Sequence, residues 1–224
     1  GTHQHGYTPF SFDITDHLPP GGEQDLVVRV WDCSGKGLFA SSGKQGQDPE
    51  VYENCSGIWQ TVWLEPRAAG AIESFRIKGS LKQAAVSVAL KTDGKTPVGT
   101  QARVEVLEGG QVLASAIGAF DASLTVKIPN PKAWEPNSPF LYDLRVSLVK
   151  DGITLETIRS YCGLRDIWID KTLPGPQIIL NGKAFFHFGP LDQGYWPLSV
   201  FTPPTEEALV YELKYLKDAG CNMV

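Results

Sequence analysis

Apolar and polar residues alternate along most of this chain, the pattern of a strand with one buried and one wet face. The alternation runs through Val86, Val88 and Leu90, then Ala102, Val104 and Val106. It returns at Leu124, Val126 and Ile128, and again at Leu144, Val146 and Leu148. Turn-forming residues fall between these runs: Asp93-Gly94, Glu108-Gly109-Gly110, Pro129-Asn130-Pro131 and Asp151-Gly152. Short strands at this spacing, over residues 69–171, predict a small antiparallel sandwich of the immunoglobulin type.

The flanking regions read differently. Before the sandwich, Phe10, Phe12 and Ile14 alternate, as do Leu26, Val28 and Val30, and 58–64 is an aromatic-rich run, so residues 1–68 are expected to be a separate β region. Residues 34–54 between these runs are mostly polar, hold Gly35, Gly37, Gly43 and Gly46, and read as a long loop. After about residue 172 the pattern changes again. Ile178, Ile179 and Leu180 lead into Asn181-Gly182, the strongest short hairpin signal in the chain, and a largely apolar run follows at 184–191. Pro203-Pro204-Thr205-Glu206-Glu207 then predicts a helix start, Leu209, Leu213 and Leu216 mark one helical face, and Gly220 is placed to end it.

Composition narrows the possibilities without choosing among them. Apolar residues make up 42% of 224, enough for packed cores. The net charge of -5 and the lack of any Lys or Arg block argue against partnership with nucleic acid or with an anionic membrane surface. No run approaches the roughly 18 apolar residues of a membrane span. The chain starts at Gly1 with neither an initiator methionine nor a leader-like run, so it reads as beginning inside a longer protein; cytoplasmic, periplasmic and secreted locations all stay open. Cys33, Cys55, Cys162 and Cys221 lie far apart and read as unpaired thiols rather than metal ligands. Asn54-Cys55-Ser56 matches a glycosylation acceptor, a pattern common by chance.

Several longer strings carry a resemblance. They are Gly6-Tyr7-Thr8-Pro9-Phe10-Ser11-Phe12-Asp13-Ile14-Thr15, Ser56-Gly57-Ile58-Trp59-Gln60-Thr61-Val62-Trp63-Leu64-Glu65, Trp134-Glu135-Pro136-Asn137-Ser138-Pro139-Phe140-Leu141-Tyr142, and Gly163-Leu164-Arg165. Leu180-Asn181-Gly182, followed by Leu191-Asp192-Gln193-Gly194-Tyr195-Trp196-Pro197, completes the series. In this order the strings resemble family 2 glycoside hydrolases over essentially the whole chain. Where an aromatic more often precedes the glycine of Gly163-Leu164-Arg165, this sequence has Cys162.

The resemblance implies three parts: 1–68 as the end of a sugar-binding-type jelly roll, 69–171 as the sandwich, and 172–224 as the first β-α unit of a catalytic (β/α)8 barrel. It also implies a retaining glycosidase that needs no cofactor, in which one carboxyl group protonates the leaving oxygen and a second, ~5 Å away, attacks the anomeric carbon. A complete barrel takes about 250 residues, and its site is assembled from several strand ends. Neither catalytic glutamate maps onto this chain, so the polypeptide alone is expected to be inactive toward its carbohydrate substrate, galactosides being slightly favoured.

The segment nearest to an active site is 192–196. Asp192 and Gln193 suit sugar hydroxyls, and Tyr195 and Trp196 suit a pyranose face. The competing reading makes these aromatics packing residues. Lys44-Gln45, in the long loop, is a further candidate. His3 and His5 are two metal-type ligands without a third, and His187, in an apolar run, reads as a core histidine. Trp31, Trp59, Trp63, Trp134 and Trp168 read as core or domain-interface residues. The alternative class, a stand-alone carbohydrate-binding sandwich module, has no use for the amphipathic helix that follows residue 203.

Overall fold

The computed structural model describes residues 1–31, 56–172 and 174–224. Cys33, Cys55, Asn54, Lys44, Gln45 and the loop 34–54 lie outside the described residues. The chain divides into two compact units, Leu64–Gly189 and the union of Gly1–Trp63 with Pro190–Asn222.

The first of these units is a sandwich. Its smaller sheet orders β1 (Ile72–Ser80), β2 (Ala85–Thr92) and β5 (Leu124–Lys127) as β1-β2-β5. Its larger sheet orders β3 (Gln101–Glu108), β4 (Gln111–Ala119), β8 (Tyr142–Lys150) and β9 (Ile153–Cys162) as β4-β3-β8-β9. All these pairs are antiparallel. The alternating residues read from the sequence form the core between the sheets. Val86, Val88 and Leu90 of β2 and Val126 of β5 face Ala102, Val104 and Val106 of β3 and Leu144, Val146 and Leu148 of β8. Burial of such branched side chains contributes about 1.5–3 kcal/mol each before chain entropy opposes it.

Between β5 and β8 along the chain a short ribbon pairs β6 (Trp134–Glu135) with β7 (Ser138–Pro139). Tyr142, at the start of β8, is 1% exposed, and its hydroxyl accepts a hydrogen bond from the Lys132 backbone N–H at 2.8 Å. That bond ties the corner to the following strand, as tyrosines at the same corner do in other sandwiches of this type. Cys162, at the end of β9, packs in the core opposite Tyr142, filling the place where an aromatic was expected.

The sandwich closes along a seam after β9. A Cβ on Gly79 would lie 2.3 Å from the Gly163 carbonyl oxygen, so β1 and the chain leaving β9 meet backbone to backbone. Leu164 beside them is fully buried, and its carbonyl accepts from Trp134 N at 2.9 Å. Asp166 accepts from the Ser80 hydroxyl at 2.7 Å and from Lys82 N at 2.5 Å. Next come β10 (Ile167–Asp170), β11 (Gln177–Leu180) and β12 (Lys183–Ala184), a three-stranded antiparallel sheet turning at Asn181-Gly182 as expected. The Asn181 side chain serves the seam too, donating to Trp134 O at 3.0 Å and accepting from Asp166 N at 3.0 Å.

Two expectations need correction. The strands read at 10–14, 26–30 and 58–64 form no ladder; the described part of that region holds one 3-10 turn, Thr15–His17, and Phe10, Phe12, Leu26, Val28 and Val30 are exposed. Likewise the apolar run 184–191 pairs only at its start, antiparallel to β11. The reason is the same in both places. Alternation or apolarity defines which face a strand buries, but the strand forms only where neighbours take up its N–H and C=O groups.

The helix α1 (Glu206–Asp218) forms as read. The Thr205 hydroxyl accepts from Ala208 N at 3.1 Å, capping the first turn. At the other end Gly220 has φ +90, Cys221 N donates to Leu216 O at 3.0 Å and Gly220 N to Lys217 O at 3.0 Å, the two bonds of a Schellman stop.

The seam gives a direct test. Gly79→Ala is expected to lower unfolding stability by about 2–4 kcal/mol, because the clash is with backbone and cannot be relieved by a rotamer change. Urea denaturation followed by tryptophan fluorescence measures it; a loss below about 0.5 kcal/mol, the scatter of ordinary surface changes, would show that the close approach is not a constraint.

Candidate functional site

Within the unit that joins Gly1–Trp63 to Pro190–Asn222, Trp59 is the organising side chain. Its indole N–H donates to Gly6 O at 2.8 Å, and its own carbonyl accepts from the Thr202 hydroxyl at 2.9 Å. The Tyr7 and Phe201 rings lie 5.9 and 5.8 Å from it. Tyr195 in turn meets Phe201 edge-on at 5.2 Å. Two separate stretches of chain thus converge on one residue of the string 56–65.

The segment 192–196 turns sharply. Asp192 Oδ1 accepts from Gly194 N at 2.6 Å, an Asx-type turn that commits one carboxylate oxygen to the backbone. Trp196 then pairs with Val200 through N–H···O bonds of 2.7 and 3.1 Å, closing a small loop whose tip, Leu198, is 96% exposed. Val200 has φ +56, a strained conformation for a β-branched residue, and the Ser199 hydroxyl is buried without a partner. Strain and an unsatisfied hydroxyl in one exposed loop are features that structures keep at binding and catalytic positions.

Asp192 and Gln193 share an open cavity of about 310 Å³ with Leu209, Glu212, Leu213 and Leu216 of α1. The four residues expected to bind substrate therefore divide: two line this cavity, while Tyr195 and Trp196 sit in the aromatic cluster and the loop beside it. Glu212 escaped the sequence reading. Its spacing from Leu209 and Leu216 is the signal that brings its carboxylate to the same wall. Near the helix start, the Glu207 carboxyl is held below its ordinary range by its own backbone N–H and by the Thr205 hydroxyl.

A larger groove of about 810 Å³ runs along the sandwich seam, lined in part by Trp134, Cys162, Arg165, Asp166 and Trp168. Two of its polar groups are engaged by the fold. Arg165 lies over the Trp134 ring at 4.6 Å, and Asp166 serves Ser80 and Lys82. The arrangement is that of a joint.

The remaining candidates are placed as follows. His3 Nε2 lies 3.0 Å from His5 O and 3.1 Å from the Thr8 hydroxyl, with its ring stacked on Phe10, and no group of three metal-type ligands occurs among the described residues. His187 is half-buried against Phe185 rather than enclosed in a core. Trp31, Trp63 and Trp168 are exposed, so the core reading fails for them, whereas Trp59 and Trp134 are partly buried. Cys162 and Cys221 are free thiols.

The sequence profile described as glycosyl hydrolases family 2 matches residues 61–165. A β-galactosidase, BoGH2A, of Bacteroides ovatus is 26% identical over 99% of this chain and 26% of its own length. A β-galactosidase of Clostridium acetobutylicum is 28% identical over 97% of this chain and 24% of its own length. A β-glucuronidase of Paenibacillus borealis is 24% identical over 84% of this chain and 33% of its own length. Among solved structures, β-glucuronidase of Ruminococcus gnavus shares the fold over 67% of this chain and 24% of its own, with a TM-score of 0.58 at 18% identity. The chain spans about a quarter of the length of the first of these relatives.

Burial pushes the Cys162 thiol up from 9.0 to about 11. A raised folded-state value means the neutral thiol is favoured in the native core. Its contribution is full below about pH 9 and is lost as pH rises through about 11, a total of about 2–3 kcal/mol. Urea unfolding at pH 8 and pH 11 is expected to show that loss in the parent chain and a smaller one in Cys162→Ala. Equal losses in both would remove Cys162 as the cause.

Proposed function

We propose that this chain, matched over 61–165 by the profile of glycosyl hydrolases family 2, forms the scaffold and one pocket wall of a retaining glycoside hydrolase acting on β-linked sugars, galactosides before glucuronides. The observation that carries this reading is the family match over 61–165, which covers almost the whole sandwich and its closing seam. The β-galactosidases among the relatives and the string Leu191 to Pro197 support the galactoside preference.

On this reading 1–68 belongs to a jelly roll, 69–171 is the sandwich, and 172–224 is the first β-α unit of the barrel. The acid and the nucleophile, two carboxyl groups ~5 Å apart, stand on later barrel strands. Asp192 and Gln193 meet sugar hydroxyls and Trp196 offers its face to a pyranose ring, while Tyr195 packs on Phe201. The rival reading, a free-standing sugar-binding module, leaves the capped helix α1 without a purpose.

Assays with p-nitrophenyl β-galactoside, β-glucuronide and β-mannoside test this. The 224-residue polypeptide is expected to turn over none of them and to bind sugars weakly at most, whereas the full-length gene product hydrolyses the galactoside fastest. Turnover by the 224 residues alone would overturn the scaffold assignment, and tight sugar binding by them would favour the module. In the full-length enzyme, Trp196→Ala is expected to raise KM about tenfold, the equivalent of one lost aromatic stacking contact. An unchanged KM would take Trp196 out of the site.

A further inference from the structure

The loop from Trp196 to Val200 is held in a costly shape. Val200 sits at φ +56, a region that a β-branched side chain rarely adopts, and the Ser199 hydroxyl is buried without a partner. Backbone strain of this kind persists only where the surrounding structure over-determines it. Part of the support is local. Trp196 and Val200 exchange backbone bonds of 2.7 and 3.1 Å, and Thr202 N donates to Ser199 O at 3.2 Å. These bonds close the loop on itself but do not fix where it stands.

Its place is set at the stem. Tyr195 and Phe201, the residues on either side of the loop, meet edge-on at 5.2 Å, so its two ends come together as one aromatic pair. That pair packs on Trp59, whose ring lies 5.8 Å from Phe201. The next residue adds a directed bond, the Thr202 hydroxyl donating to the Trp59 carbonyl at 2.9 Å across 143 positions of sequence. Trp59 has its own anchor at residues 6 and 7: the indole N–H donates to Gly6 O at 2.8 Å, and the ring meets Tyr7 at 5.9 Å. The strained loop is thereby pinned to a residue outside it that is itself held.

From this geometry we infer that Trp59 is a positioning residue of the sugar site, setting where Trp196 stands through the Thr202 hydroxyl and the Phe201 ring. The inference rests on the proposed reading of Trp196 as a pyranose platform. A binding group must be held to within about 0.5 Å of its productive place. A platform that has to be ordered as the sugar arrives loses affinity to that ordering. Releasing the loop therefore raises KM. It leaves kcat nearly unchanged, because the lost contact is one made equally in the ground and transition states.

The Thr202 hydroxyl is the separable part of the latch. In the full-length enzyme, Thr202→Val keeps the shape of the side chain and loses the donor. It is expected to raise KM for p-nitrophenyl β-galactoside about three- to tenfold, the worth of one hydrogen bond, with kcat held within about twofold. Thr202→Ser, which keeps the donor, restores the parent KM. Trp59→Ala removes the ring beneath Phe201 and raises KM at least as much; the Thr202 variants keep the test if Trp59→Ala does not fold. On a Trp196→Ala background Thr202→Val adds nothing, since no platform is left to position. Hydrogen exchange without sugar reads the latch itself: the Trp196 and Val200 amides exchange faster in Thr202→Val. Unchanged exchange there overturns the latch, whatever the substrate. Faster exchange with an unchanged KM, in an enzyme whose KM does rise with Trp196→Ala, overturns the positioning role and leaves Trp196 in the site. A KM that Trp196→Ala itself does not move removes the platform reading and the inference with it. An undiminished effect of Thr202→Val on the Trp196→Ala background, or no rescue by Thr202→Ser, also overturns it.

Discussion

Where β1 meets the chain leaving β9, Gly79 lets the backbones touch while Gly163 makes room for the Trp134 side chain, and the sandwich depends on that approach. Gly79 and the Gly163 carbonyl leave no space for a side chain, and Gly163 itself faces the Trp134 ring, with a Cβ there lying 2.9 Å from Trp134 Cβ. With the backbones this close, Leu164 is drawn fully into the core and Asp166 reaches the Ser80 hydroxyl and the Lys82 amide at the far end of β1. One short run of chain thereby joins both sheets, the Trp134 ribbon and the Asn181 hairpin. Each bond in the set is modest alone, but all share the same backbone, so loss of one disturbs the rest.

That dependence separates structural from functional chemistry in this molecule. The groove beside the seam is the larger cavity and contains tryptophans, an arginine and an aspartate, a composition that suggests ligand binding. Its arginine and its aspartate are nevertheless engaged by the fold. The smaller cavity beside α1 is the reverse case. Asp192 has committed only one oxygen to its own turn, and Glu212 and Gln193 line the same wall. The strained Val200 and the partnerless Ser199 hydroxyl stand next to it in sequence.

Much of the sandwich was legible because its core strands are half-buried and their alternation has only one interpretation. Val86 to Leu90, Ala102 to Val106 and Leu144 to Leu148 all became paired strands facing one core. The helix was equally readable, since its cap, its acids and its terminal Gly220 are local signals confirmed by local bonds. The outer strands were harder to see. β9 turns Glu156, Ile158, Ser160 and Cys162 inward, a mixture without apolar periodicity, and β4 turns in two alanines and a glycine. Asp192 and Gln193 line the cavity beside α1 while Tyr195 meets Phe201 and Trp196 pairs with Val200, a division that nearness in sequence does not reveal.

What the sequence determined by itself was local: which residues alternate, where the chain turns, where a helix is capped, and a family kinship carried by short strings. Those depend on side-chain chemistry within a few residues. The tertiary structure decided which alternating runs became strands, because pairing requires a neighbour whose position no local pattern contains. So 86–90 became a strand and 26–30 did not, although both alternate. It also decided that Gly79 and Gly163, 84 positions apart, are the point on which the sandwich closes, since the need for a missing side chain arises only where two backbones meet.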